Sequence, residues 1–215
     1  MPRQNYFYCE SCQDYSTTSE SCEHSREFIF SEKQRRNLSK FLSYILRHHP
    51  NRIGIELDSK GFTQIPMDDL ITILKKVRNS PYISRKVMYA LIFLDLKGRF
   101  EIRNDRIRAR YGHSLKNVTI EATRIDLPDS LYHGTNLQAY QHIKQEGLKP
   151  MGRNLVHLTT SLKDAEIVGR RHKGELVILE IDVQKAIHEG IQIWQASSTI
   201  FVSNHIPAAY IKRNS

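Results

Sequence analysis

Residues 99–110, which read R-F-E-I-R-N-D-R-I-R-A-R, restrict the fold of this chain more than any other stretch. Apolar and charged residues alternate on both sides of Asn104-Asp105, as expected for two short strands joined by a tight turn. Side chains alternate along a strand, so one face of this hairpin would hold two apolar pairs, Phe100 with Ala109 and Ile102 with Ile107. The other face would hold five arginines and one acid: Arg99, Arg103, Arg106, Arg108, Arg110 and Glu101.

Three amphipathic helices are predicted ahead of the hairpin. The first has a helical stripe of Leu38, Phe41, Leu42, Ile45, Leu46 and His49. Pro50 is expected to end this helix, leaving Arg47 and His48 at its exposed border. A second helix is predicted from Pro66 to Val77, and a third begins near Ser84. Three helices followed by a basic ribbon are typical of a winged-helix lobe, whose usual partner is a nucleic acid backbone.

The composition agrees with a polyanionic partner. The 215 residues carry a net charge of +9, with 40% hydrophobic residues, which is typical of a globular basic protein. A generic basic protein, and a hairpin that is merely solvated, are the competing interpretations. No apolar run is long enough to span a bilayer and no leader opens the sequence, so we expect a cytoplasmic protein that does not associate with a membrane. We also expect it to act as a monomer.

Residues 1–30 hold all three cysteines, and a histidine follows closely. Cys9-x2-Cys12 has knuckle spacing, and Cys22-x-His24 would complete a tetrahedral zinc site. Four protein ligands leave no open position, so such a metal would be structural. The last pair is closer together than in the usual fingers, and free thiols on a loosely ordered arm remain the alternative.

The C-terminal half alternates short strands with helices. The predicted strands are Ser130–Gly134, Leu155–Thr159, Glu175–Val183, Ile191–Gln195 and Thr199–Val202, and the predicted helices are Leu137–Glu146 and Leu162–Arg170. A polar connection is expected over 116–129. No dinucleotide fingerprint, phosphate loop or nucleophile elbow is present, which disfavours a doubly wound nucleotide fold.

Seven stretches, taken in order, resemble the RNA 2'-phosphotransferase family, also called the KptA family. They are L-S-K-F-L-S-Y-I-L-R-H, I-E-L-D-S-K-G-F, R-F-E-I, R-I-R-A-R-Y-G-H-S, L-Y-H-G-T, G-L-K-P-M-G-R and V-H-L-T-T-S, within residues 37–210. The chain departs from the family at Arg110-Tyr111, where many relatives have Asn-Gln, so any role of those two residues cannot be carried over.

The resemblance implies an α+β fold with a winged-helix RNA lobe at 31–116 and an NAD-binding lobe of ADP-ribosyltransferase type at 117–215. The zinc-binding arm expected at 1–30 lies outside the resemblance and is predicted from the spacing of its ligands alone. The resemblance also implies removal of an internal RNA 2'-phosphate, as at a spliced tRNA junction. The phosphate attacks NAD and expels nicotinamide, giving 2'-phospho-ADP-ribosyl RNA. A ribose hydroxyl then releases RNA with a free 2'-hydroxyl and ADP-ribose 1'',2''-cyclic phosphate.

The resemblance also assigns roles to residues of this sequence. The catalytic set is Arg47, His48, Arg99 and Arg153. The set expected to bind NAD is His133, Gly134, Thr135, His157, Thr159 and Arg171. The resemblance and the basic hairpin together give the set expected to bind RNA, which is Arg103, Arg106, Arg108, Arg110, His113 and Ser114. Guanidinium groups suit a phosphate monoester because they bind its oxygens in pairs and stay protonated.

Two rival functions remain at this point. An ADP-ribosyltransferase that leaves ADP-ribose on nucleic acid or protein would share His133 and Thr135 but would not need three convergent arginines. A zinc-containing winged-helix binding protein without catalysis would account for the ribbon, but not for His-Gly-Thr or Arg153. The reaction products would separate these functions.

Overall fold

A computed structural model describes residues 4–19, 22–119 and 127–214. The chain divides into two compact units. The first comprises Met1–Arg110 and Asn117–Thr119, and the second comprises Tyr111–Lys116 and Ile120–Ser215. The domain boundaries expected from sequence, at 1–30, 31–116 and 117–215, remain predictions. The expected connection at 116–129 lies partly outside the described residues.

The first unit begins with a small antiparallel sheet that the sequence did not predict. Its strands are β1 (Asn5–Cys9), β2 (Asp14–Ser16) and β3 (Glu27–Ser31), in the order β2-β1-β3. Tyr6 and Phe30 are buried and their rings lie 5.1 Å apart, which gives this short sheet its own apolar contact. Lys86 forms ion pairs with Glu10 at 2.6 Å and Glu27 at 3.0 Å, and so ties the sheet to the following helices.

Three helices follow: α1 (Glu32–Arg47), α2 (Met67–Arg78) and α3 (Arg85–Phe93). Ser31 caps α1 in a reciprocal capping box with Gln34, and Ser84 accepts a hydrogen bond from the N–H of Val87 at the start of α3. The predicted stripe of α1 is buried at Leu38, Leu42, Ile45 and Leu46. Of the other two stripe residues, Phe41 is half-buried, and His49 is exposed because α1 ends at Arg47.

The hairpin has the register predicted from its alternation. Strands β4 (Phe100–Arg103) and β5 (Arg106–Ala109) pair with Phe100 opposite Ala109 and Ile102 opposite Ile107. Asn104 and Asp105 both adopt positive φ at the turn, of 49° and 59°. Phe62 forms an isolated β-bridge with Arg108, so the segment before α2 lies along the hairpin.

The second unit is built on one six-stranded sheet, in which every described pairing is antiparallel. Its strands are β6 (Ser130–Asn136), β7 (Val156–Thr159), β8 (Leu176–Asp182), β9 (Ile193–Gln195), β10 (Ile200–Ser203) and β11 (Ile211–Asn214). They lie in the order β11-β8-β6-β7-β10-β9. β8 alternates buried and less buried residues, which places Leu179 and Ile181 in the core of this unit, where they join Leu131 of β6.

The helices of the second unit are α4 (Leu137–Glu146), α5 (Leu162–Gly169) and α6 (Val183–His188). Asn136 caps α4, and Gly147 follows its last residue with φ 76°, so the predicted bounds of this helix are confirmed. α6 and β11 were not predicted from the sequence. Among the described residues, no helix is both long and apolar enough to cross a lipid bilayer.

Candidate active site

The end of α1 presents the first two predicted catalytic residues. Arg47 is the last helical residue, and His48 leaves the helix with φ −132° while its N–H donates to the carbonyl of Tyr44 at 3.1 Å. Both side chains are half-buried. Pro50 starts a short 3₁₀ turn, so the chain cannot continue the helix. The buried stripe of α1 therefore fixes the backbone that carries these two groups.

Arg99 is held by a carboxylate that the sequence analysis did not identify. The side chain of Asp95 is 2% exposed, and it accepts hydrogen bonds from Arg99 Nη2 at 2.6 Å and Nε at 3.0 Å. The backbone N–H of Arg99 also donates to Asp95, at 2.6 Å. Asp95 thus occupies one edge of the guanidinium, formed by Nε and Nη2. Nη1 and the outer hydrogen of Nη2 are directed away from that edge, where they can bind a second anion.

The hairpin arginines are not equivalent. Arg108 is buried and donates to Glu101 through Nε at 2.8 Å, and Arg103 donates to the same carboxylate at 2.8 Å. Burial would raise the pKa of Glu101, but these hydrogen bonds lower it below its ordinary value. Arg106 and Arg110 are exposed. The basic face is therefore partly neutralised at Arg103 and Arg108.

On the second unit, His133 makes a hydrogen bond that fixes its tautomer. Nδ1 lies 2.9 Å from the carbonyl oxygen of His157, and a carbonyl can only accept, so Nδ1 carries the hydrogen. Burial lowers the pKa of His133, and the nearby charges of His172 and Arg153 lower it further. Neutral His133 therefore has Nε2 as a hydrogen-bond acceptor near pH 7.

Thr135 lies on β6 with His133, and His157 and Thr159 lie on the neighbouring strand β7. His157 Nδ1 lies 2.9 Å from the carbonyl oxygen of Leu155, and its ring lies 6.0 Å from that of Tyr111. Thr135 and Thr159 are both buried. Thr159 Oγ1 accepts the N–H of Ser161 at 3.2 Å, so its hydroxyl hydrogen is directed elsewhere.

Gly134 has a packing role that the sequence did not reveal. A Cβ built at Gly134 would collide with the carbonyl oxygen of Ala165 in α5 and would lie 2.8 Å from the backbone nitrogen of Gly169. The close approach at this position is therefore that of helix α5 to strand β6, which requires glycine. A contact between Gly134 and NAD stays a prediction.

Arg153 and Arg171 form a pair of like charges. Arg153 is exposed, yet partial desolvation lowers its pKa, and the charge of Arg171 lowers it further. Two neighbouring guanidinium groups repel each other, and an anion bound beside them relieves that repulsion. Within this unit, the charge of Arg153 thus acts on His133, and the charge of Arg171 acts on Arg153.

The predicted RNA-binding residues His113 and Ser114 belong to this second unit rather than to the hairpin. His113 is buried, and its carbonyl accepts the N–H of Asn154 at 3.0 Å. The side chain of Asn154 donates to the carbonyl of Leu115 at 2.8 Å. Residues 113–115 therefore brace the loop that carries Arg153, a contribution that the sequence analysis missed.

Of the predicted catalytic set, Arg47, His48 and Arg99 belong to the first unit and Arg153 to the second. The predicted NAD-binding residues all belong to the second unit, as do His113 and Ser114. Asp95 could have been suspected from its position four residues before Arg99. Its role depends on the turn at Gly98, which has φ 52°.

The four predicted metal ligands come together in the N-terminal arm. The ligand atoms of Cys9, Cys12, Cys22 and His24 all lie within 4.8 Å of one another. The N–H of Cys12 donates to Cys9 Sγ at 3.4 Å, which stabilises negative charge on that sulfur. Hydrogen bonding with Cys9 and Cys22 raises the pKa of Cys12 to about 11. Three crowded thiols and an imidazole are a donor set that fits Zn²⁺.

Comparison with known proteins adds an independent observation. The profile of the "RNA 2'-phosphotransferase, Tpt1 / KptA family" matches residues 33–205. The "Probable RNA 2'-phosphotransferase" of Hyperthermus butylicus is 36% identical, over 94% of this chain and 89% of that protein. Its namesake from Pyrococcus furiosus is 38% identical, over 83% of this chain and 94% of that protein. Similar proteins also occur in bacteria, including one of Rhizobium johnstonii at 35% identity over 82% of this chain and 93% of its own length.

Proposed function

The chain belongs to the RNA 2'-phosphotransferase, Tpt1 / KptA family, so it is a transferase that acts on RNA, and from this premise we propose that it removes an internal 2'-phosphate in an NAD-dependent reaction. The physiological substrate would be a spliced tRNA junction. The observation that carries this proposal is the family match over residues 33–205.

The two units suit the two tasks of this reaction. Helices α1–α3 followed by the β4–β5 hairpin have the element order of a winged helix, which supports a role in RNA binding. The second unit carries His-Gly-Thr on a central strand of an antiparallel sheet, as expected for an ADP-ribosyltransferase-like lobe. We assign NAD to this second unit.

His133 and its neighbours would bind NAD. The neutral imidazole offers Nε2 as an acceptor for a ribose hydroxyl, because Nδ1 is already occupied by the carbonyl of His157. Thr135 and Thr159 lie on β6 and β7 and can add hydroxyl contacts. Arg171 is exposed and cationic, which suits the NAD pyrophosphate.

Arg47, Arg99 and Arg153 would bind the RNA 2'-phosphate. In the first step an oxygen of this phosphate attacks the anomeric carbon of the nicotinamide ribose. The carbon–nitrogen bond breaks and nicotinamide leaves with the electron pair. A phosphate dianion is already nucleophilic, so this step needs no general base. Positive charge at the phosphate oxygens aligns the nucleophile.

His48 would serve the second step. There, the adjacent ribose 2''-hydroxyl attacks phosphorus and loses its proton, while the bond to the RNA 2'-oxygen breaks and that oxygen gains a proton. Imidazole is the one group of the predicted catalytic set that exchanges protons near neutral pH. His48→Ala should therefore stop turnover and let the branched 2'-phospho-ADP-ribosyl RNA accumulate. Loss of RNA binding without accumulation would contradict this role.

The arm would bind one structural Zn²⁺ through Cys9, Cys12, Cys22 and His24. When bound, the metal supplies folding energy rather than catalysis, because four protein ligands complete a tetrahedral shell. The test is one zinc per chain by elemental analysis, with a lower unfolding temperature for Cys12→Ser. The neighbouring change Ser11→Ala is the matched control and should leave both quantities unchanged.

The whole proposal is tested by one labelled substrate. The protein is incubated with NAD and an RNA that carries ³²P at an internal 2'-phosphate. Label released as ADP-ribose 1'',2''-cyclic phosphate supports the proposal. ADP-ribose that persists on the RNA would instead indicate an ADP-ribosyltransferase, and release of the label as inorganic phosphate without NAD would contradict the proposal altogether.

A further inference from the structure

The turn end of the hairpin borders a pocket lined by two of the predicted RNA-binding arginines, Arg103 and Arg106, and by residues that have been given no role so far. The pocket has a volume of about 410 Å³ and lies in the first unit. Its lining residues are Asp58, Lys60, Phe62, Arg103, Asn104 and Arg106. Three of them are cations and one is a carboxylate, so the lining is positively charged.

The carboxylate of Asp58 forms hydrogen bonds with the protein backbone. Asp58 Oδ1 accepts the N–H groups of Lys60 and Phe62, both at 2.9 Å. These bonds hold the turn that precedes Phe62, so the charge of Asp58 is shared with backbone dipoles. Lys60 and Arg106 are exposed at the pocket. Lysine and arginine side chains only donate hydrogen bonds, so the pocket suits a ligand that only accepts them.

Several contacts hold Phe62 and the arginines beside it in place. Phe62 is 5% exposed, and the guanidinium carbons of Arg103 and Arg108 lie 5.3 Å and 4.6 Å from its ring centroid. Glu101 pairs with both arginines, and Arg108 also donates to the carbonyl of Lys60 at 3.1 Å. The segment with Lys60 is thereby fixed to the hairpin, and a ligand finds the cations already positioned.

The pocket is separated from Arg99 along the strand. Arg103 is four residues after Arg99, which corresponds to about 13 Å of extended chain. A phosphate held at Arg99 and an anion in this pocket would thus be different groups. A polyanion with regularly spaced phosphates can contact both, whereas a single small anion cannot.

We propose that this pocket binds a backbone phosphodiester of the RNA at a nucleotide that flanks the one carrying the 2'-phosphate, with Lys60 and Arg106 as its main contacts. The inference rests on the proposed function for the identity of the RNA. It adds Lys60 and Asn104 to the RNA-binding residues, and it predicts that the protein favours long RNA over a minimal substrate.

The test compares Lys60→Ala/Arg106→Ala with Lys33→Ala/Arg36→Ala, in which the same two residue types are removed from the exposed start of α1. Each protein is assayed on a 2'-phosphorylated dinucleotide and on a 20-nucleotide RNA with the 2'-phosphate at its centre. The pocket variant should lower the ratio of kcat/KM for the long substrate to that for the short one by about tenfold. The α1 variant should keep the wild-type ratio.

RNA affinity measured without NAD gives a second readout. The slope of log Kd against log salt concentration should become shallower by about 0.7 in the pocket variant, as expected for one lost phosphate contact on a single strand. Equal slopes and ratios in the two double variants would overturn the proposal. If the wild-type protein processes neither substrate, the proposed function fails. The salt slopes then still show whether the pocket binds an RNA phosphodiester. Tighter binding of an acidic peptide than of RNA would also overturn it.

Discussion

Arg99 in the first unit and Arg153 in the second carry the same guanidinium group in opposite electrostatic settings. Arg99 is fixed along one edge by the buried carboxylate of Asp95. Arg153 is exposed, and desolvation together with the charge of Arg171 lowers its pKa. The first setting compensates the charge and sets the direction of the remaining N–H groups. The second leaves positive charge uncompensated, so it favours binding of an anion but directs it less strictly.

The largest effect is expected at the uncompensated cation. Arg153→Ala should lower kcat/KM for RNA 2'-phosphate removal by about 10³-fold, because on the proposed mechanism it removes charge and donors at the reacting phosphate. Arg153→Lys should recover part of the loss, because we expect the positive charge at this position to matter more than the bidentate geometry of the guanidinium group. Arg213→Ala is the control, because Arg213 is exposed in the same unit and pairs with Glu175 at 3.0 Å. A fully active Arg153→Ala enzyme would contradict the assignment.

A smaller effect is expected when the direction of Arg99 is lost while its charge is kept. Asp95→Asn should lower kcat by about 10- to 100-fold, because the guanidinium is no longer held in one orientation. KM for RNA at low salt should stay equal or fall, since the site gains a net positive charge. Unchanged kcat with a raised KM would mean that Asp95 does not orient Arg99.

Asp68→Asn is the matched control for this variant. Asp68 binds Arg85 through Nε at 2.7 Å and Nη2 at 2.9 Å, in the same edge-on geometry. Arg85 is outside the predicted site, so activity should stay within about twofold. The unfolding temperatures of the two variants show whether Asp95→Asn acts only through lost stability, because the Arg99 N–H also donates to Asp95.

Removing the neighbour of Arg153 should have a moderate effect. Arg171→Ala should raise the pKa of Arg153, because a repelling charge is lost. It should also raise KM for NAD by about tenfold, because the proposed contact to the pyrophosphate would be lost. Arg170→Ala removes the adjacent exposed arginine and should leave KM for NAD near the wild-type value. An equal rise in KM for NAD in both variants would show that only the net charge of this segment affects NAD binding.

The smallest expected effect concerns the pH dependence at His133. Because burial lowers its pKa below the ordinary value of about 6.5, His133 should stay neutral at pH 6.5 and keep Nε2 available. His133 binds a proton less readily in the folded state than in the unfolded state. Its contribution to the free energy of unfolding is therefore fully present above about pH 6.5 and is lost as the pH falls below that value. An NMR titration of the His133 ring checks this. A midpoint above 6.5 would be the contrary result.

These settings show which features the sequence could reveal. The hairpin register was predictable, since alternation with period two and a two-residue turn leave one pairing that puts Phe100 and Ile102 on the same face. The bounds of α4 were predictable from Asn136 and Gly147, which start and stop a helix through local chemistry. Local signals sufficed in both places.

Features that depend on tertiary contacts were not predictable. The roles of Asp95 and Asn154 require the turn and loop geometries that bring them to their partners. The three strands of the arm lie among cysteines and polar residues and lack a long alternating pattern. α6 spans six residues, too few for a helical period to stand out. The side chains of the predicted site come from the resemblance and stay a prediction, while the contacts that support them come from the fold.

The contact between Gly134 and Gly169 couples two sequence motifs that lie far apart along the chain. Gly169 is the last residue of α5, and Arg171 follows two residues later. A side chain at Gly134 would push α5 away from the sheet and carry Arg171 with it. A change at one glycine cannot be compensated by a change at the other, because the added atoms would meet backbone. An engineered library that randomises either position should therefore return glycine.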